Sequence, residues 1–201
     1  MKIKAIDSNE IKLVVRIHMD AFKGFFLTDL GESFLTTYYK SVLNHPYGIL
    51  LGYFEGDTLL GFCAATKMSR GFNSRLVKAN FVEYAFVGLR LLLKKPFAIV
   101  RLVKNFTKSD NAHTDECLYS ELLSIGVASE AQGLGVGKKL LGELERRLKE
   151  SKVQKLSLTT DYEENEKVIG FYKANGYTIM YDFIAYPNRH MYRLIKSLNN
   201  Y

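Results

Sequence analysis

The sequence predicts an α/β domain, a mixed central sheet with helices on both faces and a helical insertion ahead of its central strand. Three observations predict it. Segments of strand and helix period alternate in the order β-α-α-β-β, insertion, β-α-β-α-β-β. Residues 118–127 are largely apolar, as suits a strand covered on both faces. A glycine-rich turn joins that strand to a strongly amphipathic helix. Residues 1–201 read as one domain, because no Ser/Gly-rich linker divides a chain with only three prolines.

Residues 2–6 alternate as a short strand. Asp7 opens a helix, and Glu10 three residues on completes a capping-box pattern. Ile11, Val14, Val15, Met19 and Phe22 then keep helical spacing. Residues 25–30 read as an aromatic loop. A second helix covers 32–44, with Phe34, Leu35, Tyr38, Val42 and Leu43 as its buried stripe and Pro46 past its end. Strands at 47–54 and 58–67 flank Glu55-Gly56-Asp57, a hairpin signal. After the central strand, a helix over 137–149 turns Leu140, Leu141, Leu144 and Leu148 inward. It sets Glu143 with Arg147, and Glu145 with Lys149, at i,i+4 spacing outside. Residues 156–160 form a strand. Asp161 and Glu164 repeat the capping-box pattern before a helix over 165–175, which stops at Gly176. Strands at 177–185 and 189–196 close the chain as a pair.

The net charge is +7, and one segment carries it: residues 70–110 hold nine Lys and Arg against Glu83 and Asp110. This segment is helical in character over 70–107. Phe81, Tyr84, Ala85, Gly88, Leu91 and Leu92 recur at helical spacing, and Phe97, Ile99, Val100 and Val103 continue past Pro96. One reading is amphipathic helices packed on the domain with their basic residues solvated. The other is a basic face at the mouth of a site for something anionic, with peripheral membrane contact as one version. No nucleic-acid-binding motif accompanies the charge, so no nucleic-acid partner is expected. The first ten residues lack the apolar core of a secretory signal, and no apolar run reaches the length of a membrane span. A cytoplasmic location is expected, with Cys63 and Cys117 reduced. His18, His45, His113 and His190 show no metal-ligand spacing, so they read as structural or solvent-facing and no metal is expected.

The sharpest local signal is Gln132-Gly133-Leu134-Gly135-Val136-Gly137. Glycines let a backbone turn tightly and approach a ligand. The first amides of the helix that follows lack intrahelical acceptors, and the helix dipole adds positive charge there. Strand, glycine turn and helix start together suit a pyrophosphate. Gly137-Lys138 is followed by Lys139, so the hydroxyl of a Walker motif is missing. The glycine spacing and the late position in the chain do not fit a Rossmann fingerprint.

Gln132-x-x-Gly135-x-Gly137 resembles the Gln/Arg-x-x-Gly-x-Gly/Ala motif of the GNAT superfamily of acetyl-CoA-dependent N-acetyltransferases. The resemblance extends back to Leu123-Ser124-Ile125-Gly126-Val127. It extends forward to Asn165-x-x-Val168-Ile169-Gly170-Phe171-Tyr172-x-x-Asn175-Gly176-Tyr177. It implies a GNAT acyl-CoA N-acyltransferase fold with acetyl-CoA (CoA) as its only cofactor. The backbone of Ile125 and Val127, with Gly126 between them, would hold the pantetheine like an added strand. After Gln132, the amides of Gly133, Leu134, Gly135, Val136, Gly137 and Lys138 would hold the pyrophosphate. Asn165 would contact the pantetheine, and Phe171 would either line its channel or pack ordinarily. Tyr172 takes the position of the acid that protonates the leaving thiolate, and the Val127 amide that of the carbonyl's polariser. Glu121, six residues before Val127, is the base candidate. A carboxylate on an apolar strand suits proton abstraction, and it equally suits pairing with a nearby Lys or Arg. A water relay is the third account.

The resemblance implies transfer of acetyl from acetyl-CoA to a primary amine by direct attack in a ternary complex. The acceptor would be a small molecule, an amino sugar or sugar nucleotide being favoured by the aromatic loop 25–31 with Tyr38 and Tyr39 beyond it. Protein N-acetylation, and a CoA-binding regulatory domain without transfer, are the alternatives.

Overall fold

The computed structural model of the chain describes residues 1–94 and 115–199. Seven strands form one mixed sheet: β1 (Lys2–Ala5), β2 (Gly48–Glu55), β3 (Thr58–Thr66), β4 (Ser120–Val127), β5 (Lys155–Asp161), β6 (Thr178–Ala185) and β7 (Arg189–Ser197). Their order is β1-β2-β3-β4-β5-β7-β6. β4 and β5 are parallel and every other pair is antiparallel. The helices are α1 (Ile11–Ala21), α2 (Phe26–Asp29), α3 (Glu32–Asn44), α4 (Phe72–Ala79), α5 (Phe81–Lys94), α6 (Val136–Glu150) and α7 (Glu166–Ala174).

Two apolar cores sandwich the sheet. On one face α1 and α3 bury Val14, Val15, Phe34, Leu35 and Val42 against Leu50, Phe62 and Ala64. On the other, α6 buries Leu140, Leu141, Leu144 and Leu148 against Leu51, Cys63, Leu156 and Leu158. Each of those four leucines is at most 1% exposed, which contributes about 1.5–3 kcal/mol apiece. α6 sits unusually close to the sheet at Gly61, where an added Cβ would lie 2.8 Å from Val136 Cγ1. That contact presses the start of α6 onto β3, beside the end of β4.

The order of elements is the one the sequence predicts, with bounds shifted by one or two residues. Asp7 and Glu10 form their capping box, ahead of a 3₁₀ turn that leads into α1. The aromatic loop contains the short helix α2. Two expected local pairings are redirected. Glu143 meets Arg147 at 2.8 Å, whereas Glu145 reaches Lys196 on β7 at 2.6 Å and accepts from Tyr177 Oη at 3.0 Å. The second capping box does not form. Asp161 ends β5, where its carboxylate grips Arg189, and Asn165 caps α7 without a side-chain cap bond.

In the basic segment, α5 packs on α3 through Tyr84, Val87 and Leu91, with Tyr84 and Phe34 rings 6.1 Å apart. Phe81 and Leu92, expected in the stripe, are 68% and 51% exposed. The buried line instead follows i, i+3 and i+7 from Tyr84. Phe97, Ile99, Val100, Val103 and His113 lie outside the described residues. Among the described residues, no helix is long and apolar enough to cross a membrane.

Candidate active site

β4 and β5 part company early. Their parallel register spans only Ser120 to Leu122 on β4 and Leu156 to Leu158 on β5. Beyond Leu122 the two strands diverge, and a cavity of about 570 Å³ opens between them. Ile125 and Val127 form one wall, Leu158, Thr159, Thr160 and Asp161 the other. Gly137 lies on α6, Asn165 at the start of α7, and Phe171 and Tyr172 on α7 itself.

The free edge of β4 is polar in a defined way. Ala128 N donates to Leu60 O at 2.9 Å. Antiparallel bonding alternates, so Gly126 also turns its polar groups to β3. Ile125 and Val127 therefore turn their N–H and C=O groups away from β3, toward the gap. A strand-like ligand laid in the gap would meet them in β register.

The glycine loop stands where the cavity meets α6. Gly133 and Gly135 have φ of +79° and +75°, and apart from their chain neighbours no atom of the described residues lies within 4 Å of a Cβ built on either. The loop is left-handed at two points and leaves empty space above both. The first helical bond runs from Lys139 N to Gly135 O at 3.0 Å, so the amides of Val136, Gly137 and Lys138 precede it. The Val136 side chain is buried under the loop, while Gln132, Leu134 and Lys138 are exposed on it. An unpaired strand edge, a glycine cradle and a cavity between them fit an extended donor carrying a pyrophosphate. Among the described residues, no three His, Cys, Asp or Glu side chains cluster as metal ligands.

Tyr172 is 6% exposed and lines the cavity. Its ring packs against Phe171 and Tyr177, with centroids 5.2 and 5.6 Å away. Burial pushes its phenol up, and nearby Cys63 adds to the shift, so the hydroxyl keeps its proton. Asn165 Nδ2 donates to Thr160 Oγ1 at 2.6 Å and to Asp161 O at 2.9 Å, tying the start of α7 to the end of β5. Gly126, expected among the cofactor-binding residues, is closed in by Phe62, Ile17 and Phe22, turns its backbone to β3 and does not line the cavity.

Glu121 stands apart from these groups and does not line the cavity. Its Oε1 accepts from Arg193 Nη1 at 3.1 Å, and its Oε2 from Ser69 Oγ. The geometry follows the pairing alternative. Arg193 is buried and also lies 3.9 Å from Asp115 and over the ring of Tyr119. Glu121→Gln is expected to cost about 2–3 kcal/mol in denaturant unfolding, because it strips a buried guanidinium of its nearest carboxylate. A stability unchanged within about 0.5 kcal/mol would return Glu121 to the list of base candidates.

The opposite wall carries Phe22, Phe25, Phe26 and Leu27 from the α1–α2 region, with Met191 and Arg189 from β7. The Arg189 guanidinium lies 4.8 Å above the Phe25 ring while gripping Asp161. α4 and α5 contribute no residue to the cavity. Tyr38 and Tyr39 are buried in the core beneath the wall. His18, expected to be structural or solvent-facing, lines the cavity at 3% exposure. Burial holds its imidazolium down at about 4, so the ring is neutral.

Comparison with known proteins adds to this geometry. The model of the acetyltransferase (GNAT) family matches residues 12–177. No curated protein matches the sequence. Among solved structures, the ribosomal-protein-alanine N-acetyltransferase of Brucella melitensis is similar at a TM-score of 0.65 and 17% identity, with 98% of this chain and 99% of that one covered. The ribosomal-protein-S18-alanine N-acetyltransferase of Escherichia coli gives 0.64 at 12% identity, covering 100% and 95%. The PaiA N-acetyltransferase of Thermoplasma acidophilum, in complex with coenzyme A, gives 0.56 at 13%, covering 98% of each chain. At these identities the structures speak for the fold. With the family model spanning most of its length, the chain belongs to the GNAT acetyltransferase family.

Proposed function

We propose that the chain transfers the acetyl group of acetyl-CoA to a primary amine on a small, ring-bearing acceptor, by direct attack with both substrates bound. The observation that carries this reading is the parting of β4 from β5 at Leu122. It opens a cavity lined by Ile125, Val127 and Tyr172, and reaching the glycine loop at Gly137. The donor supplies a thioester, an acyl group already activated for transfer. Gly133, Gly135, Gly137 and the amides through Lys138 would hold its pyrophosphate, and Ile125 and Val127 its pantetheine. The Val127 amide faces the gap and would polarise the carbonyl. Tyr172 would donate to the sulfur as it leaves.

The acceptor wall favours an uncharged ring bearing one amine. It presents Phe22, Phe25 and Phe26, and the one carboxylate lining the cavity among the described residues, Asp161 on β5, is already held by Arg189. A polycationic acceptor would find no free acid among the described lining residues. Mass-detected screening of amines with acetyl-CoA is expected to show +42 Da products with amino sugars or aryl-alkyl amines, and little with polyamines. Binding of acetyl-CoA without any acetylated product would favour a regulatory CoA-binding role. Acetylation of peptide N-termini alone would favour a protein acceptor.

A further inference from the structure

β4 carries an extra residue inside the cavity. Leu122 and Ser124 pair with the adjacent residues Ala65 and Ala64 of β3, so Leu123 is a bulge. The bulge changes which face the next side chain takes. Leu122 packs on the α6 side of the sheet and Leu123 on the α1–α3 side. Unbroken alternation would return Ser124 to the α6 side. Instead, Ser124 Oγ lies 2.9 Å from the hydroxyl of Tyr39 on α3. Tyr39 is fully buried, and its hydroxyl lies 2.6 Å from Nδ1 of His18 on α1. A chain of three groups thus runs from a half-buried serine on the cavity wall to a buried imidazole.

The far end of that chain is incomplete. His18 Nε2 is buried with no hydrogen-bond partner among the described residues. Buried polar atoms left bare lower stability, and most are satisfied in folded proteins. Packing alone gives no reason for an imidazole here, flanked as it is by Phe22 and Phe62. Ser124 stands just past the point where β4 leaves β5, and on the same side of the sheet as the Phe22 and Phe26 wall. That is the side from which a nucleophile would approach.

Resting on the acetyltransferase reading, we propose that Ser124 is a catalytic residue that takes the proton of the attacking nucleophile, and that Tyr39 and His18 are positioning residues that pass it on and receive it. One proton moves at each link: from the nucleophile to Ser124 Oγ, from Ser124 to Tyr39 Oη, and from Tyr39 to His18 Nδ1. Each hydroxyl loses one proton as it gains one, and the positive charge ends on the imidazole. The nucleophile bonds to the acetyl carbonyl carbon. The C–S bond breaks with its electron pair left on sulfur. Tyr172 donates to the sulfur as it leaves, and His18 then returns its proton along the chain through Ser124 to solvent, from which Tyr172 is reprotonated. The tautomer this needs carries its hydrogen on Nε2 and leaves Nδ1 to accept. The ring is neutral, so Nδ1 has a free lone pair to accept with, and desolvation makes the imidazolium short-lived, so the ring does not retain the proton.

The test is CoA release from acetyl-CoA, followed by chromatography in H₂O, D₂O and mixtures, with water or phenethylamine as the nucleophile. Ser124→Ala and Tyr39→Phe are each expected to lower kcat about 10- to 100-fold, within the range of proton-transfer catalysis. Their solvent isotope effect is expected to fall, and the bowed dependence on deuterium fraction to straighten as the number of moving protons drops. Ser124→Thr keeps a hydroxyl and is expected to recover within about threefold of wild-type kcat. The thermal shift given by acetyl-CoA is expected to be the same in all of them. A Ser124→Ala enzyme with wild-type kcat and isotope effect would overturn the relay and leave the acetyltransferase reading standing. Should Tyr39→Phe fail to fold, the Ser124 pair decides alone, because that side chain is only half-buried. Turnover in the wild type with neither nucleophile nor any amine of the acceptor screen would overturn the acetyltransferase reading, and the relay with it.

Discussion

Gly135→Glu is expected to abolish the rise in Tm that acetyl-CoA gives the wild-type protein. Gly135 is the N-cap of α6 at φ +75°, and a Cβ there would meet no atom of the described residues beyond its chain neighbours. That space is open, so in the proposed complex a longer side chain would meet the ligand first. A carboxylate there also places like charge against the pyrophosphate, at the helix end whose dipole favours an anion. At about 100 times its Kd, a ligand stabilises the folded state by roughly 2.7 kcal/mol. For a chain of this length that is a shift of about 5–10 °C. Losing it is a large, easily read effect. The substitution has a second cost, because a side chain at positive φ is strained by about 1–2 kcal/mol, which lowers the baseline Tm by a few degrees. Gly135→Asn separates the two: asparagine tolerates the left-handed region and carries no charge. It is expected to hold Tm near wild type and keep part of the shift. A full shift in a folded Gly135→Glu protein would remove the pyrophosphate from this loop.

The parts of the site that the sequence made legible are the local ones. The glycine turn, the apolar strand before it and the leucine stripe after it are each set within a dozen residues, by period and by turn chemistry. So is α3, whose bounds match and which buries the expected Phe34, Leu35, Tyr38 and Val42, though it buries Tyr39 and Ser41 as well and Leu43 only in part. What escaped depends on partners far along the chain. Glu121 finds Arg193 across 72 positions, and Asp161 finds Arg189 across 28, at the expense of a capping box four residues wide. The parting of β4 from β5 is a matter of register between strands, which no local window contains. His18 did leave a trace. It sits four residues after Val14 and four before Phe22, on the inward stripe of α1, where an imidazole is out of place. Leu122-Leu123-Ser124 left another, an interruption in the alternation of β4 at the bulge.

Tyr172→Phe is expected to lower kcat about 10- to 1,000-fold while leaving acetyl-CoA binding and the fold intact, in the range of lost acid catalysis. The structure makes this a clean substitution. The Tyr172 ring is held between Phe171 and Tyr177, and a phenylalanine keeps that packing. Only the hydroxyl goes. Burial pushes the phenol up, so the wild-type residue acts as a donor throughout the working pH range. In the proposed reaction its task would be to meet negative charge as it builds on sulfur, an interaction made in the transition state and absent from the ground state. Such an interaction shows in kcat with little change in KM. The nearby Cys63 does not take over the role, since burial raises its thiol to about 12 and it faces the α6 core. A phenylalanine enzyme that lost donor affinity and rate in equal measure would assign Tyr172 to the packing of α7. One that kept full kcat would move the acid elsewhere, with solvent as the proton source. Loss of kcat alone, at an unchanged thermal shift, would place the departing sulfur beside the α7 wall of the cavity, across from Ser124.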